Sequence, residues 1–209
     1  LVPDYPAALY LLAEIDRTEH HLQQSTELLQ KVTALDPGDS NAQYILGRNL
    51  ADQGSTSEAV QHWRLALKTD PNNTKALYSL AQALSKSGNA GAKVYMARFQ
   101  ALQKQQLVTD RVQTLGNFGL QAADDHKWPQ AVNDYEQALQ LCGACAQREK
   151  LHKNLGLIYS REGDIANAER ELKVALKLNP DDAEAQKAIA ILHALQKRTA
   201  SMNSTHGDK

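Results

Sequence analysis

The sequence predicts an all-α protein in which short helix-turn-helix units stack along the chain into a solenoid. Ala, Leu, Gln, Lys and Glu, which are strong helix formers, dominate the 209 residues, whereas β-branched residues are sparse. Several residues also recur at intervals of 34: Asp36-Pro37 and Asp70-Pro71, then Gly54 and Gly88. A single helix pair cannot bury its own apolar face, so a repeating unit of this length must stack on its neighbours.

The composition excludes two classes of protein. Lys and Arg number 23 against 24 Asp and Glu, which gives a net charge of -1. A general nucleic-acid binder needs a basic surplus to neutralise phosphates, so we expect no nucleic-acid partner. The longest apolar runs have about five residues, far short of the roughly 20 that span a bilayer, so we expect no membrane insertion.

Residues 40–73 form the most complete unit. Gly54 supplies a turn between two helices, where a left-handed backbone is cheap only for glycine. The pair Asp70-Pro71 ends the second helix, because a residue that precedes proline avoids the α conformation. Small side chains let the two helices approach closely: Gly47, Ala59 and Ala66.

The order of these residues, a large-small pair followed by a turn glycine, a small residue, an aromatic residue and a proline, resembles the tetratricopeptide repeat. The resemblance implies a right-handed α-solenoid. Residues 149–182 match the pattern as well as 40–73, and three units match in part: 6–39, 74–111 and 112–145. We expect a lead-in loop at 1–5, a capping helix at 183–198 and a disordered tail at 199–209.

The register is interrupted twice. The interval from Leu80 to Phe118 is four positions longer than one unit. This predicts an extended second helix or a longer loop near Gln100–Thr109, between an N-terminal block (6–107) and a C-terminal block (112–198). A second insertion lies near Cys142–Arg148, and His126 stands where the turn glycine of the unit 112–145 belongs.

The first helices carry the candidate binding site. In proteins that resemble this family, the second, fifth, ninth and twelfth positions of each unit point into a concave groove. The fifth position holds a tyrosine in three successive units, and tyrosine gives contact area at a low entropy cost. The predicted peptide-binding groove comprises Tyr10, Glu14, Asn41, Tyr44, Arg48, Lys75, Tyr78, Gln82 and Lys153. Packing of the tyrosines between repeats is the alternative.

In the C-terminal block the same positions change character. The fifth position holds Gly116 and Lys153, and the ninth holds Leu120 and Leu157, while Arg161 can add a basic edge. Some members of the family bind chaperone C-termini through a two-carboxylate clamp of Lys, Asn and Arg. The fifth and ninth positions here do not match that clamp, so we expect no such recognition.

Cys142 and Cys145 are the only cysteines, in a Cys-x-x-Cys arrangement. At a helix start such a pair can be a redox centre, because the helix dipole lowers the thiol pKa. Two free thiols, a metal site, and a small disulfide that replaces the missing Asp-Pro stop are the other interpretations. A disulfide would favour export or a periplasmic location over the cytoplasm.

No catalytic or phosphate-binding motif is present, and the histidines lack metal-ligand spacing. We therefore expect no enzyme, cofactor or metal, but a non-catalytic scaffold that binds an extended peptide or partner helix in its groove. Two alternatives stay open. One is self-association through the convex face or the ends, which would involve Trp128 and Gln100–Thr109, and the other is a redox accessory role for Cys142 and Cys145. The partner's identity and the oligomeric state are left undetermined.

Overall fold

The computed structural model describes the backbone of residues 5–206 and the side chains of residues 5–198. This part of the chain contains ten helices and no strand, which confirms the all-α fold class. The helices are α1 (Pro6–Thr18), α2 (Leu22–Leu35), α3 (Ser40–Asp52), α4 (Thr56–Thr69), α5 (Thr74–Lys86), α6 (Ala92–Asp124), α7 (Trp128–Cys142), α8 (Arg148–Glu162), α9 (Ile165–Leu178) and α10 (Ala183–His206).

The chain forms two compact units, Leu1–Lys104 and Gln105–Lys209. In unit 1, the helix pairs α1/α2 and α3/α4 are followed by α5 and the first part of α6. Its core includes Leu29, Leu46, Trp63 and Leu80. Unit 2 holds the rest of α6, then α7, the pair α8/α9, and α10. Its core includes Leu115, Tyr135, Leu155 and Leu172.

A glycine on the first helix of a pair faces a large side chain on the second. A methyl group on Gly47 would lie 2.7 Å from Nε1 of Trp63, and one on Gly119 would lie 2.7 Å from the ring of Tyr135. The third such pair is Gly156 and Leu172, at 2.8 Å. These distances are too short for any Cβ atom, so glycine is what allows the helices to pack this closely.

Polar side chains at equivalent positions also join the paired helices. Nδ1 of His62 lies 2.7 Å from Oε1 of Gln43, and Nδ1 of His152 lies 2.7 Å from Oε2 of Glu171. In the repeat 112–145, the residues equivalent to these hydrogen-bonded pairs are Leu115 and Asp134. Oδ2 of the buried Asp134 finds no hydrogen-bond partner among the described residues.

The turns and stops follow the sequence motifs. Gly54 has the positive φ of 91° that its turn requires, and His126, in the place of a turn glycine, also has a positive φ, of 61°. His20 does the same at 65°. Asp36 and Asp70 have ψ values of 87° and 91°, because the prolines that follow them exclude the α conformation.

The structure differs from the sequence-based boundaries at two helices. The boundary predicted at 111 and 112 falls inside α6, which is continuous because the chain has no glycine or proline between Gly91 and Gly116. The capping helix predicted at 183–198 continues to His206, so it includes most of the tail expected at 199–209. Residues 1–4 of the lead-in loop and residues 207–209 lie outside the described part.

Two alanine substitutions in α6 test the close helix approach. Gly116→Ala should stabilise the protein by about 0.5–1 kcal/mol, because alanine favours the helix and the new methyl group meets only Leu151, at 3.6 Å. Gly119→Ala gains the same propensity but drives a methyl group into the buried Tyr135 ring. It should therefore destabilise the protein by about 1–2 kcal/mol. Urea unfolding followed by circular dichroism measures both, and a Gly119→Ala protein as stable as Gly116→Ala would contradict the packing argument.

Candidate functional site

The three predicted groove tyrosines occupy different environments. Tyr44 is only 9% exposed and belongs to the core of unit 1. Its backbone carbonyl accepts a hydrogen bond from Nε1 of Trp63 at 3.2 Å. Tyr44 therefore packs between helices, which is the alternative that the sequence left open.

Tyr10 is half-buried and donates a hydrogen bond to Oε1 of Glu14 at 3.2 Å. Burial, followed by the negative charge and hydrogen bond of Glu14, raises the pKa of Tyr10 to about 12. Tyr78 is 41% exposed, and its ring lies 5.1 Å from that of Phe99. The Tyr78 hydroxyl accepts a hydrogen bond from Nε2 of Gln82 at 2.6 Å. Of the three tyrosines, Tyr78 presents the largest part of its side chain to a partner.

Two predicted groove residues line one cavity of about 280 Å³ in unit 1. They are Arg48 of α3 and Gln82 of α5, which occupy the ninth position of successive units. The predicted residues Asn41 and Lys75 are exposed but do not line it. We call this the Arg48 cavity, and its lining is Arg48, Ala51, Asp52, Thr56, Trp63, Ser79, Gln82, Ala83 and Lys86.

A second cavity of about 190 Å³ lies in unit 2. Most of its lining residues occupy the same repeat positions as those of the Arg48 cavity. We call it the Leu157 cavity. Leu120, Ala123, Asp124 and Tyr135 occupy the same repeat positions as Arg48, Ala51, Asp52 and Trp63. Asn154, Leu157, Ile158 and Arg161 likewise occupy the positions of Ser79, Gln82, Ala83 and Lys86. In each compact unit, the cavity therefore lies between the first helices of two repeats. One aromatic side chain from the second helix of a repeat forms part of its lining.

The two cavities differ in chemistry. The ninth-position residues are Arg48 and Gln82 in unit 1, but Leu120 and Leu157 in unit 2. In unit 2, the guanidinium of Arg161 lies 5.9 Å from the centre of the Trp128 ring, a cation-π contact. The Arg48 cavity is therefore polar and the Leu157 cavity mostly apolar.

Lys153, the predicted groove residue of unit 2, does not line the Leu157 cavity. Its ammonium lies 3.1 Å from Asp182 and 3.0 Å from Glu184, and so ties α8 to α10. Burial lowers the pKa of Lys153, but the hydrogen bonds and charges of Glu184 and Asp182 outweigh it and leave the pKa raised. Lys153 thus serves as an ion-pair partner within the fold.

Cys142 and Cys145 form a disulfide. Cys142 is the last residue of α7, and the backbone N–H of Cys145 donates to its carbonyl at 2.9 Å. The pair therefore lies at a helix C-terminus, where the dipole does not favour a thiolate. The helix-start argument for a redox centre was wrong in this respect. The disulfide lies where the first two repeats have their Asp-Pro stop.

One group of residues in the described part brings metal-ligand atoms within 4.8 Å of one another: Asp16, Glu19 and His21. Nδ1 of His21 lies 3.5 Å from Glu19 and 3.8 Å from Asp16. The group lies at the turn between α1 and α2, outside both cavities, and exposed acidic groups of this kind are common without a metal ion.

Stacked helix pairs, three of them with a glycine at the close contact between the helices, define a helical-repeat protein. The chain belongs to the tetratricopeptide-repeat family: a TPR repeat model matches residues 47–88 and a tetratricopeptide repeat model matches residues 153–201. Proteins of this family are protein–protein interaction scaffolds, and protein or peptide partners are implied for this chain. Within the described residues, no helix combines the length and the apolar character needed to cross a bilayer.

The chain is similar to parts of several curated proteins. It is 26% identical over 133 residues to the cytochrome c-type biogenesis protein CycH of Pseudomonas aeruginosa, covering 63% of this chain and 32% of that protein. It is 28% identical over 129 residues to human tetratricopeptide repeat protein 7A, covering 62% of this chain and 15% of that protein. For the photosystem I assembly protein Ycf3 of Prochlorococcus marinus NATL1A, the identity is 29% over 90 residues, covering 43% of this chain and 52% of that protein. The chain thus spans about half the length of these relatives, or less.

Among solved structures, MamA is 19% identical with a TM-score of 0.44, over 86% of this chain and 94% of that one. YrrB, described as a TPR protein with an unusual peptide-binding site, is 19% identical with a TM-score of 0.44, over 86% and 89%.

The sequence analysis did not select the thirteenth position of the repeats as part of the site. Asp52 and Lys86 occupy it in successive units, at the ends of α3 and α5, and both line the Arg48 cavity. Ser79, at the sixth position, was missed as well. The recurrence of charged residues at the thirteenth position was the signal that could have found the first two.

Alanine substitutions separate the packing tyrosine from the exposed one. Tyr44→Ala should cost about 3 kcal/mol of stability, because it removes a buried aromatic ring from the core. Tyr78→Ala, at an exposed position, should cost about 1 kcal/mol or less. Denaturant unfolding of the two variants tests this, and equal losses would mean that Tyr44 is not a core residue.

Proposed function

We propose that the chain is a non-catalytic interaction scaffold that binds an extended peptide segment of a partner protein in the Arg48 cavity. The observation that carries the proposal is that Arg48 and Gln82, both predicted as groove residues, line one cavity from two successive first helices. The two family matches support the general class, and the shared cavity supports a binding place between α3 and α5.

The cavity offers hydrogen-bonding groups that a peptide backbone can use. One N–H of the Gln82 amide is donated to Tyr78, which leaves the second N–H and Oε1 for a ligand. The Tyr78 hydroxyl accepts that bond and keeps its own proton to donate. An extended peptide presents N–H and C=O groups that need such partners when they leave water. Ser79 adds a hydroxyl to the same lining.

The lining also favours binding over catalysis. Its two hydroxyl residues are Thr56 and Ser79, and within the described side chains neither hydroxyl is hydrogen-bonded to Asp52 or Lys86, the groups of the lining that could act as a base. CycH and Ycf3 are named for the biogenesis and assembly of other proteins. A scaffold that holds segments of other proteins is in keeping with such roles.

Filling the cavity with a bulky side chain tests the proposal. Random peptides displayed on phage are selected on the immobilised wild-type protein, and the selected peptides are synthesised with a fluorescent label. Ser79→Trp, which places an indole in the cavity, should weaken their binding by about tenfold or more. Ser85→Trp is the matched control, because Ser85 is an exposed residue of the same helix outside the cavity.

The control variant should bind like the wild type, and circular dichroism should show both variants folded. Equal binding by Ser79→Trp and wild type, in fluorescence anisotropy, would place the peptide elsewhere and overturn the proposal.

Self-association is the second candidate function, and an exposed apolar face on α1 favours it. Leu11, Leu12 and Ile15 lie within about one turn of α1, and they are 59%, 47% and 52% exposed. A second copy of the chain that covers this face would remove it from water. Trp128, one of the two places that the sequence suggested for this role, is instead half-buried beside Arg161. The other, Gln100–Thr109, lies within α6.

Light scattering across a range of concentrations tests this candidate. If two copies meet at α1, the wild type should gain mass with concentration, and the double variant Leu11→Glu/Ile15→Glu should stay monomeric. Leu35→Glu, at an exposed leucine on α2, should behave like the wild type. A wild type that is monomeric throughout would rule out this function and leave peptide binding untouched.

A further inference from the structure

The Arg48 cavity contains two cations that no carboxylate in the described part of unit 1 neutralises. Arg48 and Lys86 are both exposed, and within the described side chains neither lies within 4.0 Å of an acidic group. Lys86 belongs to the last turn of α5, whereas Arg48 lies on α3, so the charges come from two helices that border the cavity.

The acidic residue of the cavity, Asp52, is already paired. Its Oδ2 accepts a hydrogen bond from Nη2 of Arg17 at 2.7 Å. Arg17 is held in place by a second hydrogen bond to Oδ1 of the buried Asn49. Nδ2 of Asn49 in turn donates to Oγ of Ser25 at 2.8 Å. Asp52 therefore balances Arg17, and the surplus of the cavity is positive.

The surplus does not follow from the fold. In the Leu157 cavity, the place of Arg48 is taken by Leu120, and the place of Lys86 by Arg161, which lies against Trp128. The repeat geometry thus tolerates an apolar residue at the ninth position. A cation pair in unit 1 is a property of these residues and can select a ligand.

We propose that the Arg48 cavity recognises the carboxylate of an Asp or Glu side chain within the bound peptide. The inference rests on the proposed function and adds the chemistry of the partner. The guanidinium of Arg48 can hold a carboxylate through two parallel N–H···O bonds, and the Lys86 ammonium adds a point charge. Ser79 and the unused N–H of Gln82 can bond the neighbouring peptide groups. An internal side chain is the source because an extended chain runs through a groove rather than ending in it.

The probes are four blocked amino acids, observed through the amide resonances of isotope-labelled full-length protein. N-acetyl-glutamate N-methylamide carries a side-chain carboxylate, and N-acetyl-glutamine N-methylamide is its neutral isostere. N-acetyl-glutamine with a free C-terminus carries a terminal carboxylate, and N-acetyl-phosphoserine N-methylamide carries a phosphate. The glutamate probe should give saturable shifts around Arg48, Gln82 and Lys86, with an affinity about tenfold above that of the neutral isostere.

Charge reversal at Lys86 has a matched control. Lys86→Glu should weaken binding of the glutamate probe by about tenfold. Lys68→Glu reverses a lysine in the last turn of α4, outside the cavity, and should leave it unchanged. Both variants lose the same favourable interaction with a helix C-terminus, so a difference between them reports on the cavity. Added salt should weaken the glutamate probe and not its isostere.

Three results would overturn the inference: equal shifts from glutamate and glutamine probes, equal effects of the two lysine variants, or tighter binding of the phosphate or the terminal carboxylate. Its failure is distinguishable from failure of the proposed function. If Ser79→Trp blocks the selected peptides while Lys86→Glu binds all probes normally, the cavity binds peptides without selecting for acid.

Discussion

The closest helix contacts of the structure depend on a missing Cβ at one position of the first helix. Gly47 and Gly119 let that helix lie against the rings of Trp63 and Tyr135 on the second helix. The same two rings line the Arg48 and Leu157 cavities. The contact that closes each helix pair therefore also sets the depth of each cavity, and a methyl group at either glycine would disturb packing and site together.

This contact explains why different repeat positions have different roles. The eighth and twentieth positions lie where the two helices meet, so packing restricts them to small residues. In three repeats these residues are Gly47 and Ala59, Gly119 and Ala131, and Gly156 and Ala168. The ninth and thirteenth positions border the cavity and meet solvent, so their chemistry can vary. Arg48 and Leu120 occupy the same repeat position, one charged and the other apolar, in cavities that each contain an aromatic side chain at the same place. The ligand specificity of the cavity can therefore differ between repeats while the packing of the helix pairs stays the same.

The repeat period predicted the helices, turns and stops well, because each is decided by local chemistry: a glycine at a left-handed turn, or a residue before proline. The period also selected Arg48 and Gln82 as groove residues. It failed where the deciding partner lies elsewhere in the chain. Tyr44 is buried by the helices around it, and Lys153 is bound by Asp182 and Glu184 of a later segment. The extended second helix expected near Gln100–Thr109 is present in α6, but its continuation past residue 111 was missed. The reason is that the repeat register was given more weight than the lack of helix breakers.

The fourth unit shows that the geometry of a repeat can be kept by different chemistry. It has neither the turn glycine of its two neighbours nor the Asp-Pro stop of the first two repeats. His126 accepts the left-handed backbone at a turn where three other repeats have glycine and the first has His20, which is uncommon but tolerated for histidine. At the end of α7, the disulfide between Cys142 and Cys145 closes the turn that proline would otherwise impose. The close approach of Gly119 to Tyr135 is nevertheless the same as in the regular units. The feature that these repeats share is therefore the distance between their helices, and the residues that begin and end the helices are replaceable as long as that distance is kept.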